Sequence, residues 1–413
     1  MKTNDKRALA TSIIGSGLDD MNVMFLSFSL SSIIADLNLS GSEAGWIGTI
    51  TNLGMLLGGL LFGVLADRHN KFNVFKFTVF IYSLATGLIY FADNVYILYL
   101  LRFISGIGVG GEYGVAISIM AGIVPLEKMG RISSLNGIVG QIGSISAAVL
   151  AAFIAPSLGW RGLFLFGFLP IGMVLWTHFF IDEETITERG AEANSKIEQN
   201  KPKIKELFET PELSRLTLSL MMMATVQIAG YFGMMNWLPT MMQTQLGISV
   251  SDSSQWMIAT ILGMCLGMFV FGQILDRIGP RKSFGIFLIS SAISVYLFTL
   301  ANTTWMMILG GAIVGFFVNR MFTGYAAITT LLYPQRIRTI ANNTILNVGR
   351  AVGGFSSVII GMILEKSGVP MVMLFLASLY VLSLLTMLSI PDLKKENYMK
   401  AVQPIENYSL KNH

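Results

Sequence analysis

Six ionisable side chains interrupt otherwise apolar stretches of this sequence: Asp19, Asp20, Arg102, Glu112, Arg320 and Arg350. A charge at the centre of a bilayer costs at least ~2.5 kcal/mol, so such residues are expected to face one another or a wet cavity. A carboxyl group placed there can take up and release a proton, and a guanidinium group can grip an anion through two parallel hydrogen bonds. The histidines, His69, His178 and His413, lie far apart, and Cys265 is the single cysteine. Neither a metal site nor a disulfide is expected from that spacing. No nucleophile–base pair stands out, so the chemistry foreseen is binding and proton exchange without a cofactor, not catalysis.

These residues need helices that cross a membrane. Of 413 residues, 53% are hydrophobic before 42 glycines are counted, only 13% are charged, and the mean hydropathy is +0.64. No soluble core hides that much apolar surface. The net charge of +4 gives no reason to expect nucleic acid as a partner. Twelve apolar stretches are expected to cross, at about 10–35, 43–66, 73–92, 95–124, 132–155, 160–180, 214–242, 253–275, 283–301, 304–332, 339–364 and 368–390. The first is too long and too polar in its middle for a signal peptide. With a cytoplasmic amino terminus, 23 of the 28 Lys and Arg residues fall on the cytoplasmic side, and only Arg161 and Lys366 outside. That asymmetry predicts both termini inside a cell membrane. The expected organisation is an amino-terminal six-helix bundle (1–181), a cytoplasmic linker (182–212), a carboxy-terminal six-helix bundle (213–391) and a polar tail (392–413).

The halves share a motif. Gly63-Val-Leu-Ala-Asp67-Arg68-His-Asn-Lys71 ends the second crossing, and Gly272-Gln-Ile-Leu-Asp276-Arg277-Ile-Gly-Pro-Arg281-Lys282 ends the eighth, 209 residues later. This loop, recurring at half-chain spacing, resembles that of the major facilitator superfamily. The first copy departs from it, with Asn70 for glycine and Phe72 for a basic residue. Leu101-Arg102-Phe-x-x-Gly106-x-Gly108-x-Gly110-Gly111-Glu112, Pro125-Leu-Glu-Lys-Met-Gly130-Arg131, Gly159-Trp160-Arg161 and Asn236-Trp237-Leu-Pro239 further resemble its metabolite:proton symporters of the niacin, aromatic-acid and sialate type. In Leu18-Asp19-Asp20-Met21-Asn22 one acid of their first-helix signature is matched. The resemblance implies an all-α membrane protein, with twelve helices in two pseudo-symmetric bundles that rock about a midplane site. It also implies monomeric function and gate roles for the loop residues Asp67 and Asp276, with Arg68, Arg131, Arg277 and Arg338 beside them.

Carried across the 209-residue offset, Glu112 maps beside Arg320, Asp19 beside Gln227, and Arg350 onto Gln141. Acids in one half thus correspond to arginines in the other, an arrangement suited to an anion and a proton. Arg350 is weighted most for the substrate, with Asn347 and Asn343 on nearly the same helical face; Arg320 is the alternative, with Glu112 then neutralising Arg350 or Arg102. Gln227, Tyr231, Asn236 and Trp237 are cavity candidates by family resemblance. Asp19, Asp20 and Glu112 compete as the proton carrier. Asp19 and Asp20 point about 100° apart, so both are not expected in one cavity. Gly106-Ile-Gly108-Val-Gly110-Gly111 fits a dinucleotide-loop pattern but lies inside an apolar helix, where close helix packing explains it better. The methionine runs read as adaptable packing, and Trp46, Trp160 and Trp305 as interfacial anchors. The expected function is proton-coupled uptake of a small organic carboxylate from the surrounding medium. The rivals are a proton-driven exporter and a non-transporting sensor.

Overall fold

The computed structural model describes residues 3–124, 126–181, 203–318, 321, 324–325, 328–329, 332–334 and 336–394, excepting the side chains of 67, 126–131, 276, 339 and 392. Among them there is no strand. The α-helices are α1 (Thr3–Leu37), α2 (Gly41–Arg68), α3 (Lys71–Leu88), α4 (Val95–Ile123), α5 (Leu126–Leu165), α6 (Leu169–Phe180), α7 (Pro211–Leu246), α8 (Val250–Ile278), α9 (Pro280–Leu297), α10 (Thr304–Val318), α11 (Arg338–Gly353) and α12 (Ser356–Leu388). Nine spans among the described residues are long and apolar enough to cross a bilayer, and the shorter α10 is apolar as well.

Two of those spans, Ile132–Phe180 and Ile340–Leu388, are 49 residues long. At ~1.5 Å per residue each is more than twice the thickness of a hydrocarbon core. The helix breaks in each at a glycine: Gly159 with φ 66° and Gly368 with φ 74°. The left-handed region is open to glycine at no steric cost. Each long span is therefore long enough for the two crossings expected from the sequence, and the backbone stays helical almost up to the break. The expected crossing at 304–332 runs past Val318 into positions mostly outside the described residues, and the linker is seen only from Lys203 onward.

Short polar turns set the helix starts. Ser40 caps α2 in a reciprocal box with Glu43. Asn94 accepts from the backbone N–H groups of Tyr96 and Ile97 to cap α4. Asn70, the departure from the loop motif, caps α3 through the Phe72 N–H at 2.8 Å. Its counterpart Gly279 instead starts α9 with φ 82°, ahead of Pro280. One copy uses a side-chain cap and the other a glycine turn, and both begin the next helix at the same place.

The repeat extends to packing. Helices α3 and α9 start and end 209 residues apart, as do the 3₁₀ turns Ile89–Phe91 and Phe298–Leu300 that follow them. In the first half, Gly54 and Gly106 let α2 and α4 approach until a Cβ on either would overlap the carbonyl of Phe103 or Thr51. In the second half, Gly263 and Gly315 do the same against Ala312 and Thr260. Every one of these eight residues has its mate at the offset. The glycine run of α4 is thus packing surface, along α2 at Gly106, Gly110 and Gly111 and along α3 at Gly108, whereas Gly114 meets nothing within 4 Å.

By contacts the chain divides into two compact units. One takes in Met1–Asn200, Met235–Ile258 and Ser357–Glu365; the other takes in Lys201–Met234, Ala259–Ser356 and Lys366–His413. Within the first, the start of α2 lies on α12, where the Gly41 N–H donates to Glu365 Oε2 at 2.8 Å. Close to the repeat-related place, Ser251 Oγ on α8 donates to the Ala152 carbonyl on α5 at 2.9 Å. Trp160 is buried, donating to Asp36 at 3.2 Å, so it is a packing residue and not the interfacial anchor expected; Trp305, 79% exposed, fits that role.

Candidate functional site

In the first unit the acids gather between α1, α3, α4 and α5. Glu112 on α4 is completely buried, and neither carboxyl oxygen has a hydrogen-bond partner. Its Oε1 lies against Gly15 of α1, where a Cβ would stand 2.9 Å away, with Phe75 Cζ at the same distance on the other side. Gly15 is what lets this carboxyl reach the α1 backbone. Asp19 follows Gly15 by one helical turn, on the same face, and is also buried. Asp20 turns instead to α5, where its Oδ2 occupies the space a Cβ of Gly140 would take, next to Gln141. The adjacent acids thus diverge, as their angular spacing requires, while Asp20 stays within electrostatic reach of Glu112.

Arg102 is elsewhere. It is 1% exposed, and its Nε donates to Thr51 Oγ1 on α2 at 3.1 Å. Ten residues separate it from Glu112 along α4, a rise of about 15 Å. The alternative in which Glu112 neutralises Arg102 is therefore corrected: their helix carries both groups, but too far apart to pair, and Arg102 makes no ion pair among the described residues.

Asn236 and Trp237 belong to the same unit and are almost fully enclosed. Trp237 Nε1 donates to the carbonyl and hydroxyl oxygens of Ser357, at 3.0 and 3.1 Å. Asn236 Oδ1 accepts from Ser27 Oγ at 3.4 Å. Here both side chains join helix to helix.

In the second unit, Gln227 is buried and donates to the Val318 carbonyl at the end of α10. Tyr231, one turn on, is half-buried against Phe232. On α11, Asn347 and Arg350 are both half-buried, on one face. Arg338 donates from Nε to the Tyr333 carbonyl at 2.9 Å, ahead of its helix. Arg68 and Arg277 are exposed at the ends of α2 and α8. Arg320, and the side chains of Asp67, Arg131 and Asp276, lie outside the described residues.

The sequence reading missed Tyr82, Gly15 and Thr51. Tyr82 is completely buried with a hydroxyl that has no partner. The available signal was a column of polar residues, Thr78, Tyr82 and Thr86, one turn apart within an apolar crossing. No group of three or more His, Cys, Asp or Glu residues able to hold a metal occurs among the described residues.

Buried acids and a buried guanidinium thus sit inside duplicated helix packing. The chain is 35% identical to a putative metabolite transport protein of Haemophilus influenzae, over 94% of this chain and 96% of that one. It is 28% identical to a putative niacin/nicotinamide transporter of Bacillus subtilis, over 87% and 88% of the two chains. Among solved structures it resembles a D-xylose-proton symporter with a TM-score of 0.77 at 17% identity, over 95% of this chain and 98% of that one. The Major Facilitator Superfamily model matches residues 12–262 and again 220–405. Those two overlapping matches together run from residue 12 to residue 405, and this multi-pass membrane protein belongs to the major facilitator superfamily of transporters.

Proposed function

We propose that this protein imports a small organic carboxylate together with protons across the cell membrane, with both termini cytoplasmic. The observation that carries the reading is Glu112, buried in a membrane helix with both oxygens unpartnered. An ionised carboxylate in such surroundings costs several kcal/mol, whereas the neutral acid is tolerated, so a proton is the natural ligand of that position. Asp19 and Asp20, on the helix packed against it, share or relay that proton.

The substrate carboxylate is assigned to Arg350, whose planar fork suits it, with Asn347 one turn before it. Arg320 and Arg102 are further guanidinium groups for the anion. Gln141, Gln227, Tyr231, Asn236 and Trp237 complete the path. The niacin/nicotinamide relative supports a small ring acid as the cargo. Asp67, Arg68, Arg131, Asp276, Arg277 and Arg338 form the cytoplasmic gate, supported by the duplicated loop. The protein works as a monomer in this reading.

Uptake into proteoliposomes with an imposed pH gradient tests it, using nicotinate, benzoate, sialate and lactate beside neutral nicotinamide. A carboxylate should accumulate when the outside is acidic, and a protonophore should abolish the accumulation. Transport of the neutral compound alone, accumulation indifferent to the gradient, or proton-driven extrusion of preloaded substrate would overturn the reading.

A further inference from the structure

Beside its three acids the proton site holds a fourth group with no role so far. A buried tyrosine hydroxyl usually finds a hydrogen-bond partner, yet that of Tyr82 has none. The packing shows where it is directed. Helices α3 and α4 meet closely at Gly108, where a Cβ would stand 2.7 Å from Tyr82 Cβ and from the Thr78 carbonyl oxygen. One turn further along α4 comes Glu112. Its Oε1 and the Phe75 ring border the same glycine, Gly15, so this turn of α4 lies level with Phe75 on α3. Rising numbers on α4 thus pair with falling numbers on α3. A helical side chain leans toward the amino end of its own helix, and from Tyr82 that direction leads through Thr78 toward Phe75 and Glu112.

The groups facing the phenol are therefore acids. Asp19 on α1 and Glu112 on α4 both act on it electrostatically, and Asp20 lies near Glu112 on the α5 side. Arg102, on the same helix as Glu112, is held at Thr51. From α6 the nearby side chain is Met173, at Gly15, which does not titrate. On α3 itself Lys76 sits six positions before Tyr82, toward the opposite side of the helix. A single O–H donor is thus directed along α3 toward a carboxyl whose two acceptor oxygens are bare, with no hydrogen bond between the two in this structure.

We propose that Tyr82 is a positioning residue of the proton site, its hydroxyl donating a hydrogen bond to the Glu112 carboxylate once the proton has left for the cytoplasm. The inference rests on the symport reading and deepens it: the phenol stabilises the ionised form and so helps the site let its proton go. No bond is made or broken beyond loss of the carboxyl proton to water.

The experiment is Tyr82→Phe in the full-length transporter, which removes one oxygen and keeps the ring. Uptake of the best-transported carboxylate is followed in proteoliposomes across pH, beside its KM and its substrate exchange at zero gradient. Without the donor, Glu112 holds its proton to higher pH, so the alkaline limb of the uptake profile should move up by about one pH unit. KM and exchange should stay near wild type. In a Glu112→Gln background Tyr82→Phe should change nothing further in the profile. Two outcomes would overturn the proposal. One is a uniform loss of rate and melting temperature with the limb in place; the other is an equal shift caused by Tyr82→Phe when Glu112→Gln is already present. A wild-type protein without any alkaline limb would instead sink the symport reading itself.

Discussion

Ser27 on α1 donates a hydrogen bond to the amide oxygen of Asn236 on α7 at 3.4 Å, and the two residues stand at the same position in the two copies of the repeat. The duplicated unit touches its own copy at this point, through the polar member of each helix. The bond is buried, so its loss should register, but interhelical polar bonds in membrane proteins average only about 0.6 kcal/mol. A double-mutant cycle of Ser27→Ala and Asn236→Ala on thermal unfolding should give a coupling of that order. A coupling of zero would make the contact incidental.

Glu112→Gln and Asp19→Asn are expected to keep carboxylate exchange and lose accumulation against a gradient, because the amide cannot take up the proton. Gly15→Ala should act on the same step indirectly. Its methyl group would enter the space of Glu112 Oε1, so it should impair coupling more than exchange. Accumulation assays beside counterflow separate the two.

Arg350→Gln should abolish carboxylate binding, read as loss of the ligand-induced rise in melting temperature. Arg102→Met has a different expectation. A buried guanidinium with no ion pair among the described residues carries a desolvation penalty, which an apolar replacement of similar volume removes. The unliganded variant should melt at or above the wild-type temperature. A large drop would show that Thr51 and the helix dipoles compensate the charge fully.

Gly159→Ala and Gly368→Ala each force a methyl-bearing residue into left-handed backbone. With ψ at −177° in both, the backbone lies in a region essentially reserved for glycine, so each should cost about 1–3 kcal/mol, and by similar amounts. Neither site is crowded enough for a steric clash to dominate, so the comparison isolates the backbone term.

Glu206, at the start of the second half, is held below the usual carboxylate range by the Lys203 backbone N–H and by Arg336 at 2.6 Å. A depressed carboxyl contributes above its unfolded value and loses that contribution as pH falls through the lower, folded one. The protection factor of amides 203–208, which is exchange corrected for its intrinsic pH dependence, should therefore be flat near neutrality and fall only on acidification below the ordinary carboxylate range. Glu206→Gln should remove that fall.

Much of the fold was legible because apolar length is written into the crossings, and the Asp67 and Asp276 loops exposed the repeat. The 209-residue register, taken from those two loops, describes helix ends, glycine contacts and both helix breaks. The site was legible only as a set of residue types. Asp19, Asp20 and Glu112 could be named from their cost in a membrane, but how each is seated depends on Gly15 and Gly140, and a glycine announces nothing about its neighbour. Tyr82 escaped because a tyrosine in an apolar helix costs little to explain. Trp160 misled because its place near a helix end suits an interfacial anchor, whereas a partner 124 positions away buries it.

That partner is Asp36, which also binds Arg161 at 2.5 Å while the guanidinium sits 4.3 Å over the Trp160 ring and donates to the Ala92 carbonyl. The second copy has Gln245, Val369 and Pro370 at the corresponding places, so this clasp exists once. Two bundles of common ancestry thereby differ at one rim. The residues just after the break at Gly159 are tied to α1 and to the Ala92 carbonyl, whereas those just after the matching break at Gly368 are of types that cannot make that tie.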